Sequence, residues 1–180
     1  MVRLSLAALL LCSPALAECP PVPDIGTDID GLIAMVQDAP NEGAARVISG
    51  RMWEFWAKAP DARAQSLLDD GMARRSSFDL AGAIAAFDLL IEYCPDYAEG
   101  YNQRAFANFI REDFAAALPD LDRAIELQPR HIPAMAGKGL TLIQMGRIRD
   151  GQVEIRRAVA LNPWLSERFY LTLEPESTDL

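Results

Sequence analysis

The sequence has little of what catalytic and metal sites are built from. Its 180 residues include one histidine and three cysteines, and no two cysteines stand in C-x-x-C spacing. No nucleophile elbow, phosphate-binding loop or zinc-ligand spacing occurs in the chain. We therefore expect a protein that is not an enzyme and that uses no cofactor and no bound metal.

Positive charge is also scarce. The chain has 17 lysines and arginines against 26 aspartates and glutamates, which gives a net charge of −9 at neutral pH. An acidic surface repels nucleic-acid phosphates and anionic lipids, so nucleic acid is not an expected partner. The N-terminal apolar run from Leu4 to Leu11 is too short to span a bilayer, and stable membrane insertion is not expected either.

The first 17 residues have the pattern of a secretory signal peptide. Arg3 precedes the apolar run, and the small-residue sequence Ala15-Leu16-Ala17 follows Pro14. This pattern predicts a signal peptide over residues 1–17 that is cut after Ala17, rather than a retained anchor. The compact signal indicates export to a bacterial periplasm, and a Pro-rich segment over residues 18–27 would begin the mature chain.

Two cysteines, Cys19 and Cys94, would enter the oxidising compartment. A disulfide between them would fasten the Pro-rich segment to the body of the protein, and two free thiols are the alternative.

The chain repeats itself every 34 residues. Three similar stretches, LLIEYCPD, RAIELQPR and RAVALNPW, place prolines at 95, 129 and 163. Other positions keep the same interval and the same character: two sets are small and one is large and apolar. They are Gly71, Ala105 and Gly139; Ala83, Ala117 and Gly151; and Phe87, Leu121 and Ile155. Concordance over so many positions indicates a true repeat.

Each repeat reads as two helices joined by a short turn. In the repeat over residues 98–131, the pattern predicts helices near Ala98 to Arg111 and Phe114 to Leu127, with Asp113 as the N-cap of the second. The small residues are expected where the two helices cross, because a small side chain lets the backbones approach. Pro119 should kink the second helix, since it lacks the N–H that helix bonding requires.

This pattern resembles the tetratricopeptide repeat. The resemblance covers residues 61–165 and implies three units, over residues 64–97, 98–131 and 132–165. It implies an all-α fold, an α/α helical-repeat solenoid of antiparallel helix pairs with capping helices. The family usually has leucine where this chain has Asp70, Arg104 and Lys138, so we expect the first helix of each unit to pack less tightly.

Capping elements are expected at both ends. Residues 28–60 read as a helical pair, either a degenerate repeat or an N-terminal cap. Its second helix is apolar on two sides, with Trp53 and Trp56 on one of them, so we expect it between the first helix and unit one. Residues 166–180 read as a capping helix followed by an acidic tail.

The first helices of the three units carry a second, largely apolar stripe beside the packing stripe. In the tetratricopeptide-repeat family the corresponding residues face a groove that binds peptides. We call the corresponding residues of this chain the groove residues. They are Gln65, Leu68, Met72, Arg75, Asn102, Phe106, Phe109, Leu140 and Ile143.

The groove residues favour two functions. An apolar, aromatic floor suits an amphipathic or apolar segment of another protein, which makes the chain an exported adaptor or assembly factor. The alternative is a carrier of a lipid-like or other small apolar ligand. A third possibility is that the N-terminal pair or the C-terminal helix covers the stripe and buries it as core. The groove has no ring of lysines and asparagines, so recognition of a terminal carboxylate is not expected.

Two further features have simpler explanations than a ligand site. The sequence GTDIDG at residues 26–31 is similar to part of a calcium loop, but Gly26 and Gln37 stand where carboxylate ligands are needed, so Asp28 and Asp30 are expected to charge a helix start. His131 falls in a turn between two units and is expected to be an ordinary loop residue.

Overall fold

The computed structural model describes residues 18–173, and every regular element in that range is helical. Eight α-helices follow one another and a short 3-10 helix closes the described chain. They are α1 (Gly26–Gln37), α2 (Glu42–Trp56), α3 (Ala62–Ser76), α4 (Leu80–Tyr93), α5 (Ala98–Ile110), α6 (Phe114–Leu127), α7 (Ile132–Gln144), α8 (Ile148–Leu161) and the 3-10 helix Ser166–Thr172. The predicted signal peptide and the acidic tail beyond residue 173 lie outside the described residues.

The predicted solenoid of helix pairs is confirmed. Helices α3 and α4, α5 and α6, and α7 and α8 pack as pairs, and α4 packs on α5 as α6 packs on α7. The bounds predicted for α5 and α6 agree with the structure within one residue. Asp113 caps α6 as predicted, accepting a hydrogen bond from the Ala116 N–H at 3.1 Å. Helix α6 continues past Pro119 to Leu127.

The turn inside each pair repeats with the same interval of 34 residues. Phe78, Glu112 and Gly146 adopt positive φ angles of 61°, 61° and 78°. After each of them, an N–H donates to the carbonyl five residues earlier: Asp79 to Arg74, Asp113 to Asn108, and Arg147 to Leu142. Glycine adopts this conformation readily whereas phenylalanine and glutamate do not, so the three units impose one turn on three different residues.

The small residues lie at the helix crossings, as expected. A Cβ atom placed on Gly71 would stand 2.3 Å from the Phe87 ring, and one placed on Gly151 would stand 2.5 Å from the Gly139 carbonyl oxygen. The first conflict is with a side chain, but the second is with the backbone of the neighbouring helix. Helices α7 and α8 therefore meet backbone to backbone, which only glycine allows.

We expect Gly151→Ala to lower the free energy of unfolding by about 2 kcal/mol, because α7 and α8 must separate to admit the new methyl group. Urea unfolding followed by circular dichroism measures the change. The matched control is Gly50→Ala in α2, where no atom lies within 4 Å of the added Cβ. There we expect stabilisation by about 0.5–1 kcal/mol, since alanine favours a helix over glycine. Equal effects at the two glycines would contradict the close crossing.

Two of the charged residues in the family's leucine position form ion pairs with the neighbouring second helices. Arg104 of α5 joins Asp88 of α4 at 2.6 Å and Asp120 of α6 at 2.6 Å. One repeat later, Lys138 joins Asp122 at 2.8 Å and Glu154 at 2.9 Å. Each cation thus ties its own unit to the preceding one. Hydrogen bonding to Asp120 raises the pKa of the Arg104 guanidinium.

The N-terminal pair α1–α2 does not stack on unit one, and the predicted place of α2 is wrong. Its apolar side chains share one core with α7 and α8 of unit three. The members are Ile29, Leu32, Ile33, Val36, Ala45, Ile48, Met52, Trp56, Ile132, Met135, Ala136 and Ala158. The Gln37 side chain donates to the Ala160 carbonyl at 2.8 Å, and the Asn162 side chain donates to Ser49 Oγ at 3.1 Å. The pair therefore covers part of the groove side of α7.

The two ends of the described chain are fastened to the solenoid. A disulfide joins Cys19, ahead of α1, to Cys94 at the end of α4, with their Cα atoms 5.2 Å apart. The predicted C-terminal capping helix is a 3-10 helix, held where the Gln152 side chain donates to the carbonyls of Tyr170 at 3.1 Å and Leu173 at 2.8 Å. Within residues 18–173, no helix is both long and apolar enough to cross a bilayer.

Candidate functional site

An apolar cleft of about 330 Å³ lies between α5 and α7, with walls from α2 and from the segment that follows α8. Phe106 and Phe109 of α5 and Leu140 of α7 line its floor. Trp53 of α2 and Leu165 form apolar walls. The charged side chains that line it are Arg75 and Glu167. We call this space the apolar cleft.

Five of the nine groove residues meet in the apolar cleft. They are Arg75, Asn102, Phe106, Phe109 and Leu140. Phe106 is 47% exposed, which is unusual for a large aromatic side chain in the middle of a helix. Phe109 is half-buried and packs edge-on against Phe114, with ring centroids 5.4 Å apart. Phe106 is therefore the more available of the two rings, and Phe109 also supports the α5–α6 pair.

The other four groove residues lie elsewhere, which corrects the prediction for them. Leu68 is 0% exposed and belongs to the core beside Phe87, and Met72 packs against the same core. Helix α3 packs against both α4 and α5, and this contact turns its apolar stripe inward.

Gln65 and Ile143 also have structural roles. The Gln65 side chain accepts from the Ala59 N–H at 2.9 Å and donates to Asp69 at 3.0 Å, so it holds the turn before α3. Ile143 packs over Gly151 at the α7–α8 crossing. The groove was predicted over three units, but the residues that line the cleft therefore come mainly from units two and three.

Beneath the cleft lies a buried polar network centred on the Glu99 carboxylate, which is 1% exposed. Asn102 Nδ2 donates to both carboxylate oxygens at 3.2 Å, and Gln103 Nε2 donates to one of them. His131 Nε2 lies 2.8 Å from the other. These donors satisfy a charge that would otherwise be costly to bury.

His131 lies in the predicted turn between α6 and α7, but it is not an ordinary loop residue, contrary to the expectation from the sequence. It is 0% exposed and caps α7, because its Nδ1 accepts the Ala134 N–H at 3.2 Å. The proton therefore resides on Nε2, which donates to Glu99. The ring also stacks on Trp56 with centroids 5.0 Å apart. His131 thus connects unit three to unit two and to the N-terminal pair.

Arg75 connects the network to the cleft. Its guanidinium donates to the Gln103 side-chain oxygen and lies over the Phe106 ring, 4.4 Å from the centroid. Burial lowers the pKa of Arg75, and the nearby charge of Glu99 acts in the opposite direction. The guanidinium is thus held in place at the rim of an apolar surface.

Trp53, Leu165 and Glu167 also line the cleft, although they are not among the groove residues. For Trp53 a signal existed, because α2 is apolar on two sides and its second apolar face needs something to cover. For Leu165 and Glu167 none did, since they follow the last repeat. Within residues 18–173, no cluster of three or more potential ligands is placed to hold a metal ion.

No protein-family model matches the chain. The chain is 33% identical over 119 residues to tetratricopeptide repeat protein 36 of Xenopus tropicalis, a match that covers 63% of this chain and 58% of that protein. It is 30% identical over 126 residues to the human protein of the same name, covering 68% of this chain and 67% of the relative. The chain therefore spans about three-fifths of the length of these relatives.

Among solved structures, the chain is similar to the first tetratricopeptide-repeat domain of Spaghetti bound to an HSP90 peptide. The TM-score is 0.59 and the identity is 21%, covering 61% of this chain and 87% of that domain. At this identity the likeness shows the fold alone.

Proposed function

The chain belongs to the tetratricopeptide-repeat family, and from that premise we propose that it is a non-catalytic protein-interaction module that holds an apolar segment of another protein in the apolar cleft. The observation that carries the proposal is the half-exposed Phe106, set among Phe109, Leu140 and Trp53. Exposed apolar surface of this kind marks a site of interaction. The peptide held by the similar Spaghetti domain supports the same role.

The size of the cleft sets how the bound segment enters it. A cleft of about 330 Å³ admits apolar side chains from a segment whose backbone stays at the rim. An extended apolar segment and the apolar face of an amphipathic helix both meet this condition.

A carrier of a small apolar ligand is the second candidate function. It is favoured by the partial cover that Trp53 and Leu165 give to the cleft. A volume of about 330 Å³ lies at the lower end of the range of about 300–1,000 Å³ for small-molecule sites. The same test separates the two functions, because a carrier yields an extractable ligand and an adaptor yields a bound protein.

The proposed setting is an exported, periplasmic one. The apolar run Leu4 to Leu11 and the Ala15-Leu16-Ala17 pattern support a cleaved signal peptide. The Cys19–Cys94 pairing is consistent with an oxidising compartment. The first residue of the purified mature protein, read by mass spectrometry, tests the proposal, and an intact N-terminus would contradict it.

We expect Phe106→Ala to weaken partner binding about tenfold or more, because it removes an aromatic anchor from the centre of the cleft. Stability should change by less than about 1 kcal/mol, since the side chain is half exposed in the free protein. The measurement compares what wild type and variant capture, with both the bound proteins and the extractable lipids identified.

The matched control for this test is Leu89→Ala. Leu89 is a 55% exposed apolar residue of α4 that does not line the cleft. Equal capture by Phe106→Ala and Leu89→Ala would show that the cleft is not part of the binding surface. Loss of a bound lipid alone in Phe106→Ala would favour the carrier.

A further inference from the structure

The two charged side chains of the apolar cleft come from opposite ends of the repeats. Arg75 comes from α3 of unit one, the floor comes from α5 and α7, and Glu167 comes from the 3-10 helix that follows α8. Helix α3 packs on α5, whereas the 3-10 helix packs on α8. The apolar floor is thus flanked by one cation from unit one and one anion from beyond unit three.

Arg75 differs from the other unpaired cations of the protein. Among the basic side chains of residues 18–173 that have no carboxylate within 4 Å, it is the one that is half-buried, while the others are exposed. Its hydrogen-bond acceptor within that range is Gln103, a neutral amide. The nearest acidic group of the network, Glu99, already accepts hydrogen bonds from Asn102, Gln103 and His131. Arg75 therefore retains unused donors and an unpaired charge beside the cleft.

Glu167 is the acidic counterpart of Arg75, since it also lines the cleft without an ion-pair partner in the described part of the chain. It is half-buried, no lysine or arginine of residues 18–173 lies within 4 Å of its carboxylate, and it accepts a hydrogen bond from Ser166 at 3.1 Å. Half-buried charges without partners are uncommon in proteins, because desolvation is not offset by an ion pair. Opposite charges without partners beside one apolar cleft match a ligand that supplies both.

Building on the proposed function, we propose that the bound segment is extended and dipolar: an acidic residue pairs with Arg75, apolar residues enter the cleft over Phe106, and a basic residue pairs with Glu167. The Arg75 guanidinium lies over Phe106 of α5, 4.4 Å from the ring centroid, and Glu167 belongs to the 3-10 helix that follows α8. Neighbouring helix axes are about 8–10 Å apart, so one to two such steps separate the charges by about 8–20 Å. An extended chain rises about 3.3 Å per residue, so the acidic and basic residues of the segment are about three to six positions apart.

The test uses dye-labelled, terminally blocked hexapeptides with four apolar residues in the middle, followed by fluorescence anisotropy with the whole purified protein. One carries glutamate first and lysine last, one carries them in reverse order, and one carries glutamine at both ends. We expect the better of the two charged peptides to bind at least about fivefold more tightly than the glutamine peptide at low salt. The advantage should shrink in 0.5 M salt, because exposed ion pairs are screened.

Protein variants assign each charge to its partner, with two further peptides that carry only the glutamate or only the lysine of the better-bound charged peptide and glutamine at the other end. Arg75→Gln should remove the preference for glutamate and leave that for lysine, and Glu167→Gln should do the converse. Arg75→Lys should restore most of the first preference, which separates charge from any structural effect of losing the Gln103 contact. Arg63→Gln and Glu92→Gln change exposed charges outside the cleft and should leave both preferences intact.

The outcomes distinguish this inference from the function on which it rests. Equal binding of all three peptides would overturn the dipolar segment while supporting an apolar binding cleft. Failure of all of them to bind would overturn both. Unchanged preferences for the charged peptides in Arg75→Gln and Glu167→Gln would also overturn the dipolar segment, because other residues of the protein would then bind the peptide charges.

Discussion

Glu99→Ala is expected to lower the free energy of unfolding by about 3–5 kcal/mol, because removing one member of a buried, charged network leaves its partners unsatisfied. The His131 ring, the Asn102 amide and the Gln103 amide would lose their shared acceptor together. These residues join α5 to α7, so the loss weakens the contact between units two and three. Urea unfolding followed by circular dichroism measures the effect.

Two control variants keep this prediction specific. Glu92→Ala removes an exposed carboxylate of α4 and should change the unfolding free energy by no more than about 0.5 kcal/mol. Glu99→Gln retains one acceptor oxygen and should fall between wild type and Glu99→Ala. A loss below about 1 kcal/mol in Glu99→Ala would show that the network does not hold the two units together.

Loss of the disulfide is the second large effect. The bond closes a loop across 75 positions of the sequence, and in the chain-entropy account this stabilises the folded state by about 4 kcal/mol. Cys19→Ser is the variant of choice, because Cys19 is half-buried whereas Cys94 belongs to the core. We expect the variant to unfold at lower urea than oxidised wild type and to match wild type treated with reductant.

The reductant also serves as the control for the disulfide. Cys19→Ser should not respond to it, and wild type should gain two mass units on reduction. Identical unfolding of oxidised and reduced wild type would contradict a stabilising bond. The apolar cleft should retain its ligand after reduction, because the core that holds α1 and α2 against α7 does not include Cys19.

The repeated part of the fold could be predicted because the small residues of each helix pair show which helices pack against each other. A small residue at 105 requires a small residue at 117, and the same pair recurs at 139 and 151. Such spacing determines which helices cross and where they end. The turn residues repeat with the same interval, even though Phe78 and Glu112 are poor choices for a positive φ angle.

The place of α1 and α2 could not be predicted for the opposite reason. An amphipathic helix shows which of its faces is buried, but not which surface buries it. Order along the chain favoured unit one, whereas the core that formed is with Ile132, Met135 and Ala158 of unit three.

The location of each predicted groove residue depends on whether one helix or several determine it. Phe106 and Leu140 follow the helical period and line the cleft. Leu68 follows the same period but is buried, because α3 contacts α5 as well as α4. His131 was missed, since the acid that pairs with it stands 32 residues earlier and no local pattern connects them.

The charged residues of the first helices show how a departure from a family pattern can be compensated. Arg104 and Lys138 replace an apolar residue, and each is matched by acids on the second helices of two adjacent units. Those acids recur at the same interval: Asp88 with Asp122, and Asp120 with Glu154. Asp70 opens the series at unit one, where it pairs with Arg74 of the same helix at 2.9 Å.

The most direct test of the central proposal is site-specific photo-crosslinking in cells that make the protein. A photoreactive phenylalanine analogue at position 106 is compared with the same analogue at the exposed position 89, outside the cleft. We predict that position 106 crosslinks to a specific protein, through a segment with apolar residues, and that position 89 does not. Crosslinks to lipid alone, or the same products at both positions, would contradict the proposed role of the cleft in holding another protein.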